Sequence, residues 1–231
     1  MRTPEQTEKI KQFHSDPVQI ENFLSEQQVL DLLEYYKKNQ NFVEEKNTGP
    51  RVLYVNEGTG VIDIILKKLR QKFGNFKVRS AHFFDVTKPH ILHNDDDFTL
   101  PAAYKAFTIP LYFEGPIDDI KLIIFDQYYY NGPAKFFYDD TNEREMYYNV
   151  PVNDYQTVEN LSSIGIDNVY KTLYLGHLKT SWLEGLSIKQ DFPWKIGSAI
   201  CFDSLALHCS SNFKSVGVKR KIGLSIFTTI N

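Results

Sequence analysis

Two distant segments of this chain carry side chains that could hold one metal ion between them. The first runs Arg79-Ser-Ala-His-Phe-Phe-Asp-Val-Thr-Lys-Pro-His-Ile-Leu-His-Asn-Asp95, and the second ends in Leu205-Ala-Leu-His208. In an extended segment residues i and i+2 point the same way. His93 and Asp95 can therefore grip one ion from a single strand end, with Asn94 turned outward. His208 would complete a set of two imidazoles and one carboxylate. Such a set covers one face of an ion and leaves the other positions open, which suits Fe(II) and oxidative chemistry. Asp96 and Asp97 compete for the carboxylate role but lack the period-two relation to His93. His90 competes for an imidazole role but has nothing acidic two residues after it. The plainer alternative is a solvated acidic turn beside an ordinary histidine.

These side chains need elements to position them. Phe76 to Val86 is rich in aromatic and β-branched residues and reads as a strand; Pro89 breaks it, and a short run over 89–93 reaches the first histidine. Ile196 to Cys209 reads as two short strands around a turn at Asp203-Ser204, in which case Cys201 and Cys209 lie on neighbouring strands. A polar loop, 210–217, precedes a final strand over 219–229 with two faces. Ile222, Leu224 and Ile226 are suited to packing under helices. Lys221, Gly223, Ser225 and Phe227 place a cation, a missing side chain and a hydroxyl in line, as a carboxylate pocket would need. A solvated lysine on an edge strand is the alternative.

The rest of the chain supplies cover. Residues 1–17 can form a polar helix. Ser25-Glu-Gln-Gln28 is a capping box that opens a helix with Val29, Leu32, Leu33 and Tyr36 inward. Asn41 to Arg51 reads as loop. A second helix over 60–73, capped by Thr59 and ended by Gly74, turns Val61, Ile64, Ile65, Leu69 and Phe73 inward. Further strands are expected at 104–113, 119–127, 170–176, 180–188 and 197–203. Residues 128–169 crowd tyrosines into polar loop and could form a substrate-covering lid, or else a subsidiary core or an oligomer contact. Many short strands in two blocks behind helices indicate a mainly β chain, a double-stranded β-helix of jelly-roll, cupin-like type with N-terminal supporting α-helices. The expected organisation is one domain over 1–231, with helical support in 1–75, the jelly-roll core in 76–127 and 170–231, and an insert at 128–169.

With these pieces in order, the chain resembles the Fe(II)/2-oxoglutarate-dependent dioxygenases, nearest to the prolyl-hydroxylase-like and phytanoyl-CoA-hydroxylase-like branches. His-x-Asp is His93-Asn-Asp95, the distal histidine is His208, and the basic residue with small or hydroxyl neighbours at alternate positions is Lys221-x-Gly223-x-Ser225. A Thr-x-x-x-Tyr strand matches Thr108 to Tyr112. The resemblance implies that His93, Asp95 and His208 are catalytic metal ligands for Fe(II). It implies that 2-oxoglutarate binds with its far carboxylate on Lys221, Tyr112 and Ser225, that O2 is the second co-substrate, and that ascorbate serves as reductant. Arg220 competes with Lys221 for the carboxylate, and choosing it would flip the strand by one residue. Family members more often carry arginine there, and lysine lacks the two-pronged fork. Their Gly-Gly-x-Thr segment is also absent, replaced by Ile120-Lys-Leu-Ile-Ile-Phe125. Because the carboxylate ligand is present, hydroxylation is favoured over halogenation. A cupin-like metal protein with isomerase, lyase or purely binding function is the rival reading, although no His-x-His pair is found.

Composition sets the outer bounds. The 231 residues carry a net charge of −3, with dispersed lysines, which argues against nucleic acid and anionic membranes as partners. Two cysteines do not make a disulfide framework, so the expectation is reduced thiols and a cytoplasmic protein. Cys209, next to His208, should point away from the metal. The polar N-terminus shows no signal peptide, and no apolar run is long enough to span a bilayer. The expected substrate is a small molecule or a peptide, and oligomeric state is not readable.

Overall fold

A computed structural model of the protein describes residues 2–45, 51–96, 103–116, 119–130, 132–134, 136–139, 144–147, 150–151 and 158–229. The N-terminal segment begins with helix α1 (Pro4–Lys11), closed by a capping box between Thr3 and Gln6. Strand β1 (Val18–Ile20) follows, then helix α2 (Glu26–Lys38), capped by Ser25 and Gln28 as its sequence predicts. Strands β2 (Glu44–Glu45) and β3 (Arg51–Val55) replace the end of the expected loop. Helix α3 (Asp63–Phe73) starts three residues later than predicted. Thr59 is not its cap: its hydroxyl donates to Asn56 O, while the Asp63 carboxylate accepts the Gly58 and Gly60 N–H groups. The shift turns Ile62, Ile65, Leu66 and Leu69 inward and leaves Ile64 58% exposed. Gly74, with φ +80°, ends the helix in the left-handed region that glycine tolerates.

The remaining strands are β4 (Lys77–Val86), β5 (Ala103–Glu114), β6 (Lys121–Tyr129), β7 (Phe136–Asp139), β8 (Arg144–Tyr147), β9 (Val150–Pro151), β10 (Val158–Glu159), β11 (Ile188–Pro193), β12 (Ala199–Asp203), β13 (Ala206–Ser210) and β14 (Arg220–Thr229). All described pairings are antiparallel. The large sheet has the order β1-β12-β5-β14-β4-β3-β2. In the small sheet β6 lies between β13 on one edge and β11 and β10 on the other. Strands β7, β8 and β9 pair separately. The two main sheets enclose Ala106, Ile124, Phe192, Phe202 and Phe213. The outer face of the large sheet, including Ile222, Leu224 and Ile226, packs on Leu32, Ile65 and Leu69 of the helices. The outer face of the small sheet buries Ile123, Phe125, Leu207 and Cys209 against Leu175, Trp182 and Leu183. This is a jelly-roll backed by helices, the architecture the strand pattern indicates.

Four expectations about elements need correction. The run 170–176 is not a strand but lies largely in helix α4 (Asn168–Tyr174), because Asp167 caps the Val169 and Tyr170 N–H groups. Tyr170 and Tyr174, four apart, then meet at 4.7 Å, tilted, on one helical face. Within 180–188, Thr180–Leu183 is a 3-10 turn and the strand begins at Ile188. The two cysteines are not on neighbouring strands. The turn after β12 carries the chain from the large sheet to the small one, so Cys201 faces the helices and Cys209 the opposite outer layer. The run 89–93 likewise forms no strand beyond a single bridge between His93 and His208. Of the Tyr-rich stretch, Tyr128 and Tyr129 end β6, and Tyr128 and Tyr130 lie in the core between the sheets. The suggested lid falls mainly on residues 131–157, whose side chains lie largely outside the described residues.

Candidate metal and co-substrate site

The bridge between His93 and His208 is the seed of the site. The His93 N–H donates to the His208 carbonyl at 3.0 Å and the His208 N–H returns a bond at 2.8 Å. Their rings meet at 4.1 Å. Each ring has its Nδ1 against the carbonyl two residues before it, Ile91 O at 2.7 Å for His93 and Ala206 O at 3.0 Å for His208. That contact turns Nδ1 to a backbone acceptor and aims each Nε2 at the space where a metal would bind, the orientation metal-binding imidazoles take. Both Nε2 atoms face Asp95, at 3.7 Å from Oδ1 for His93 and 3.3 Å from Oδ2 for His208. The three donor atoms lie within 4.8 Å of one another, and among the described residues no other such group of histidine, cysteine or carboxylate donors occurs. Two neutral nitrogens and one carboxylate oxygen converging at this spacing fit a divalent metal ion. Burial, then the neighbouring His90 and His208 rings, holds the His93 imidazole well below its ordinary pKa. Burial alone would raise the Asp95 carboxyl, but His208, His93 and Arg79 outweigh it and keep it low. His93 is thus held neutral and Asp95 ionised, the states in which both bind metal.

Asn94 and Asp96 alternate with His93 and Asp95 and point away from the donor atoms. Asn94 is buried rather than solvated: its amide donates to the Tyr129 and Gly132 carbonyls and its oxygen accepts the Ala134 N–H at 2.7 Å. Asp96 pairs with Arg2, so it does not compete for the metal. Asp97 lies outside the described residues. The His90 ring lies 4.0 Å from that of His93, tilted against it, and lines the same cavity without belonging to the donor group.

A cavity of about 90 Å3 opens from the three donors into the space between the sheets, with room for several water-sized molecules. Thr108, Lys221 and Ser225 line it with Ser210 and Trp194. Thr108 and Ser225 are direct cross-strand partners on β5 and β14. Lys221 is 2% exposed; its ammonium donates to Ser210 Oγ at 3.0 Å and lies over the rings of Trp194 at 4.1 Å and Phe213 at 4.6 Å. No described carboxylate pairs with it, and burial pushes its pKa down to about 7. The buried Trp194 indole N–H, on the same cavity, has no partner among the described residues. A cation without a countercharge and an unused donor in one enclosed space suit an acidic ligand.

Arg220 and Tyr112 are elsewhere. Arg220 turns to the opposite face of β14 and grips Asp85 with two bonds of 2.7 Å, alongside Tyr36. Tyr112 is 37% exposed and does not line the cavity. The reason is a bulge in β5: Ile222 pairs with Tyr112 but Gly223 pairs with Pro110, so Leu111 is the extra residue and the alternation reverses beyond it. Phe113 then takes the inward place opposite Lys221. Gly223 is not a vacancy for a ligand either. A Cβ there would meet Phe84 Cζ at 2.4 Å, so the Phe84 ring occupies that space. Ser210, Trp194 and Phe213 escaped the sequence reading. Ser210, two residues after His208 on one strand, could have been found by the same alternation; nothing local to Trp194 or Phe213 signals their approach to Lys221.

No protein-family model matches the chain, and no curated protein sequence matches it. Solved structures do. A prolyl-4-hydroxylase from Pseudomonas putida aligns over 96% of both chains with a TM-score of 0.50 and 12% identity. The non-heme alpha-ketoglutarate-dependent carbocyclase SnoK from nogalamycin biosynthesis aligns over 99% of this chain and 84% of its own, with a TM-score of 0.53 and 12% identity. HygX from Streptomyces hygroscopicus, solved with nickel and 2-oxoglutarate bound, covers 99% of this chain and 87% of its own at 0.52 and 10% identity. The chain therefore has the jelly-roll fold of these 2-oxoglutarate-dependent oxygenases.

Proposed function

We propose that this protein is an Fe(II)/2-oxoglutarate-dependent oxygenase that hydroxylates a small molecule or a peptidyl residue. The observation that carries the reading is the convergence of His93 Nε2, His208 Nε2 and an Asp95 oxygen at the mouth of a cavity whose far wall holds a buried, unpaired lysine. The fold shared with SnoK and HygX supports the same choice of metal and co-substrate. A ferrous ion bound there would supply, with O2 and 2-oxoglutarate, the oxidising power to break a C–H bond as the keto acid is converted to succinate and CO2. The chain's own part is ligation, orientation and exclusion of water. His93, His208 and Asp95 hold the metal, with the two histidine rings oriented by the Ile91 and Ala206 carbonyls. Lys221, helped by Ser225, Thr108 and the Trp194 N–H, receives the far carboxylate of the keto acid, and Phe84, Phe113 and Phe213 keep that end dry.

Structural neighbours include an epimerase and a carbocyclase as well as hydroxylases, so the reaction must be read from products. Protein purified without air is to be incubated with Fe(II), ascorbate and 2-oxoglutarate, and succinate measured with and without panels of metabolites and peptides. Succinate should form, and a hydroxylated product should appear by mass spectrometry with the right panel. Asp95→Ala should lose metal and succinate formation together. Metal binding without any succinate would instead favour a cupin-like isomerase, lyase or binding protein.

A further inference from the structure

The carboxylate ligand is held by little regular structure. Past the His93–His208 bridge, the chain leaves the small sheet, and the sole backbone bond of Asp95 in the described structure is its N–H to the Ser204 carbonyl at 2.8 Å. Two arginines from remote parts of the chain close on this corner. Arg79, on β4, donates through Nη2 to the Asp95 carbonyl at 2.5 Å while its guanidinium lies over the Phe227 ring at 5.5 Å. Arg2, just before α1, forms a two-pronged pair with the Asp96 carboxylate at 2.6 and 2.8 Å and reaches the Tyr130 carbonyl at 2.7 Å. Both side chains of the Arg2–Asp96 pair are buried, at 6% and 0% exposure. Asp95 thus lies between two fixed points, one on its own carbonyl and one on the next side chain. Shifting the backbone from which its carboxylate reaches the other two donors would require one of them to break.

We propose that Arg2 and Arg79 are positioning residues for the metal-binding carboxylate, so that the N-terminal arm is a working part of the metal site. This rests on His93, Asp95 and His208 being that site. Arg2 acts through the Asp96 side chain, and Arg79 through the Asp95 carbonyl and its charge beside the carboxylate. Outer partners of this kind typically change metal affinity about 10–100-fold when removed.

The test is a Co(II) titration of the metal-free full chain, followed by visible absorption, which reads both affinity and the geometry of the bound ion. Arg79→Gln and Arg2→Gln should each weaken Co(II) about tenfold or more and alter the ligand-field bands of the saturated protein. Arg2→Gln/Asp96→Asn should recover part of the loss, because a neutral pair leaves no buried charge unpaired. Arg79→Lys, which keeps the charge but loses the fork, serves if Arg79→Gln does not fold, and should also shift the bands. Tyr36→Phe, which removes a hydrogen bond to Asp85 on the far face of the large sheet, controls for general destabilisation and should leave Co(II) binding as it was. Wild-type affinity and bands in both glutamine variants would overturn the proposal, as would equal weakening in Tyr36→Phe. A wild-type protein that binds no Co(II) would remove the metal reading itself.

Discussion

Lys221 and Arg220 are adjacent in the chain and serve opposite faces of one strand. Lys221 sits among aromatic rings without a countercharge among the described residues, so its charged form is costly until an acid arrives. Lys221→Ala should sharply raise the 2-oxoglutarate concentration needed for succinate formation. The pH dependence follows from the sign of the shift. Below pH 7 the free lysine is charged and ready; above it the proton must be taken up on binding, so 2-oxoglutarate affinity should fall about tenfold per pH unit above 7. Calorimetric titration between pH 6 and 9 reads this, and a flat profile would show that Lys221 does not receive the carboxylate. The same depressed value makes folding stability rise with pH from about 7 toward the unfolded lysine value of about 10.4, because only the unfolded chain still holds the proton there. Arg220→Ala should leave the 2-oxoglutarate requirement unchanged. It strips the two-pronged partner from buried Asp85 and should cost about 3 kcal/mol in urea unfolding, with Arg51 and Tyr36 limiting the loss.

At the scale of elements, strand alternation carried the reading of β14 and failed on β5 for one reason. The faces of β14 are as its sequence predicts, Ile222, Leu224 and Ile226 toward the helices and Lys221 and Ser225 toward the cavity. On β5 the bulge at Leu111 reverses the pattern, and Tyr112, which the resemblance made a carboxylate ligand, ends on the outer surface. Pro110, which cannot donate to the ladder, stands beside the bulge and is a local signal of it, but which residue becomes the extra one depends on how the partner strand is met. Gly223 shows a related limit: its small size was legible, but its use, as space for Phe84, depends on a residue of the neighbouring strand. Gly223→Ala should therefore push the Phe84 ring into the cavity. The expected result is a loss of about 1–3 kcal/mol in stability together with weaker 2-oxoglutarate binding. A variant with unchanged affinity for the keto acid would show that the ring yields in another direction. The runs 170–176 and 180–188, expected as strands, differ for a simpler reason: the Asp167 cap starts a helix at Asn168, and a 3-10 turn over Thr180–Leu183 delays the strand to Ile188.

Across the whole molecule, the proposed site joins parts that are otherwise separate. His208 belongs to the small sheet, Lys221 to the large one, and His93 and Asp95 to an irregular corner between them. A metal and an acid bound together would therefore fasten the sheets to one another. Ni(II) at about a hundred times its dissociation constant should stabilise the fold by about 2.7 kcal/mol, which for a chain of this size is a rise in Tm of several degrees. 2-Oxoglutarate should add to this in the wild type but little in Lys221→Ala, and a chelator should return the melting point to its starting value; differential scanning calorimetry reads all three. The jelly-roll class, the two-faced last strand and the pairing of His93 with Asp95 were determined by the sequence alone. They rest on short-range periodicity, which the pleat of a strand imposes wherever the strand lies. Tertiary structure alone decided that His208 meets them, that Arg220 and Tyr112 face away from the cavity, and that Arg2 reaches Asp96. Those outcomes depend on sheet pairing, a bulge and a buried ion pair between residues far apart in the chain, which local spacing does not encode.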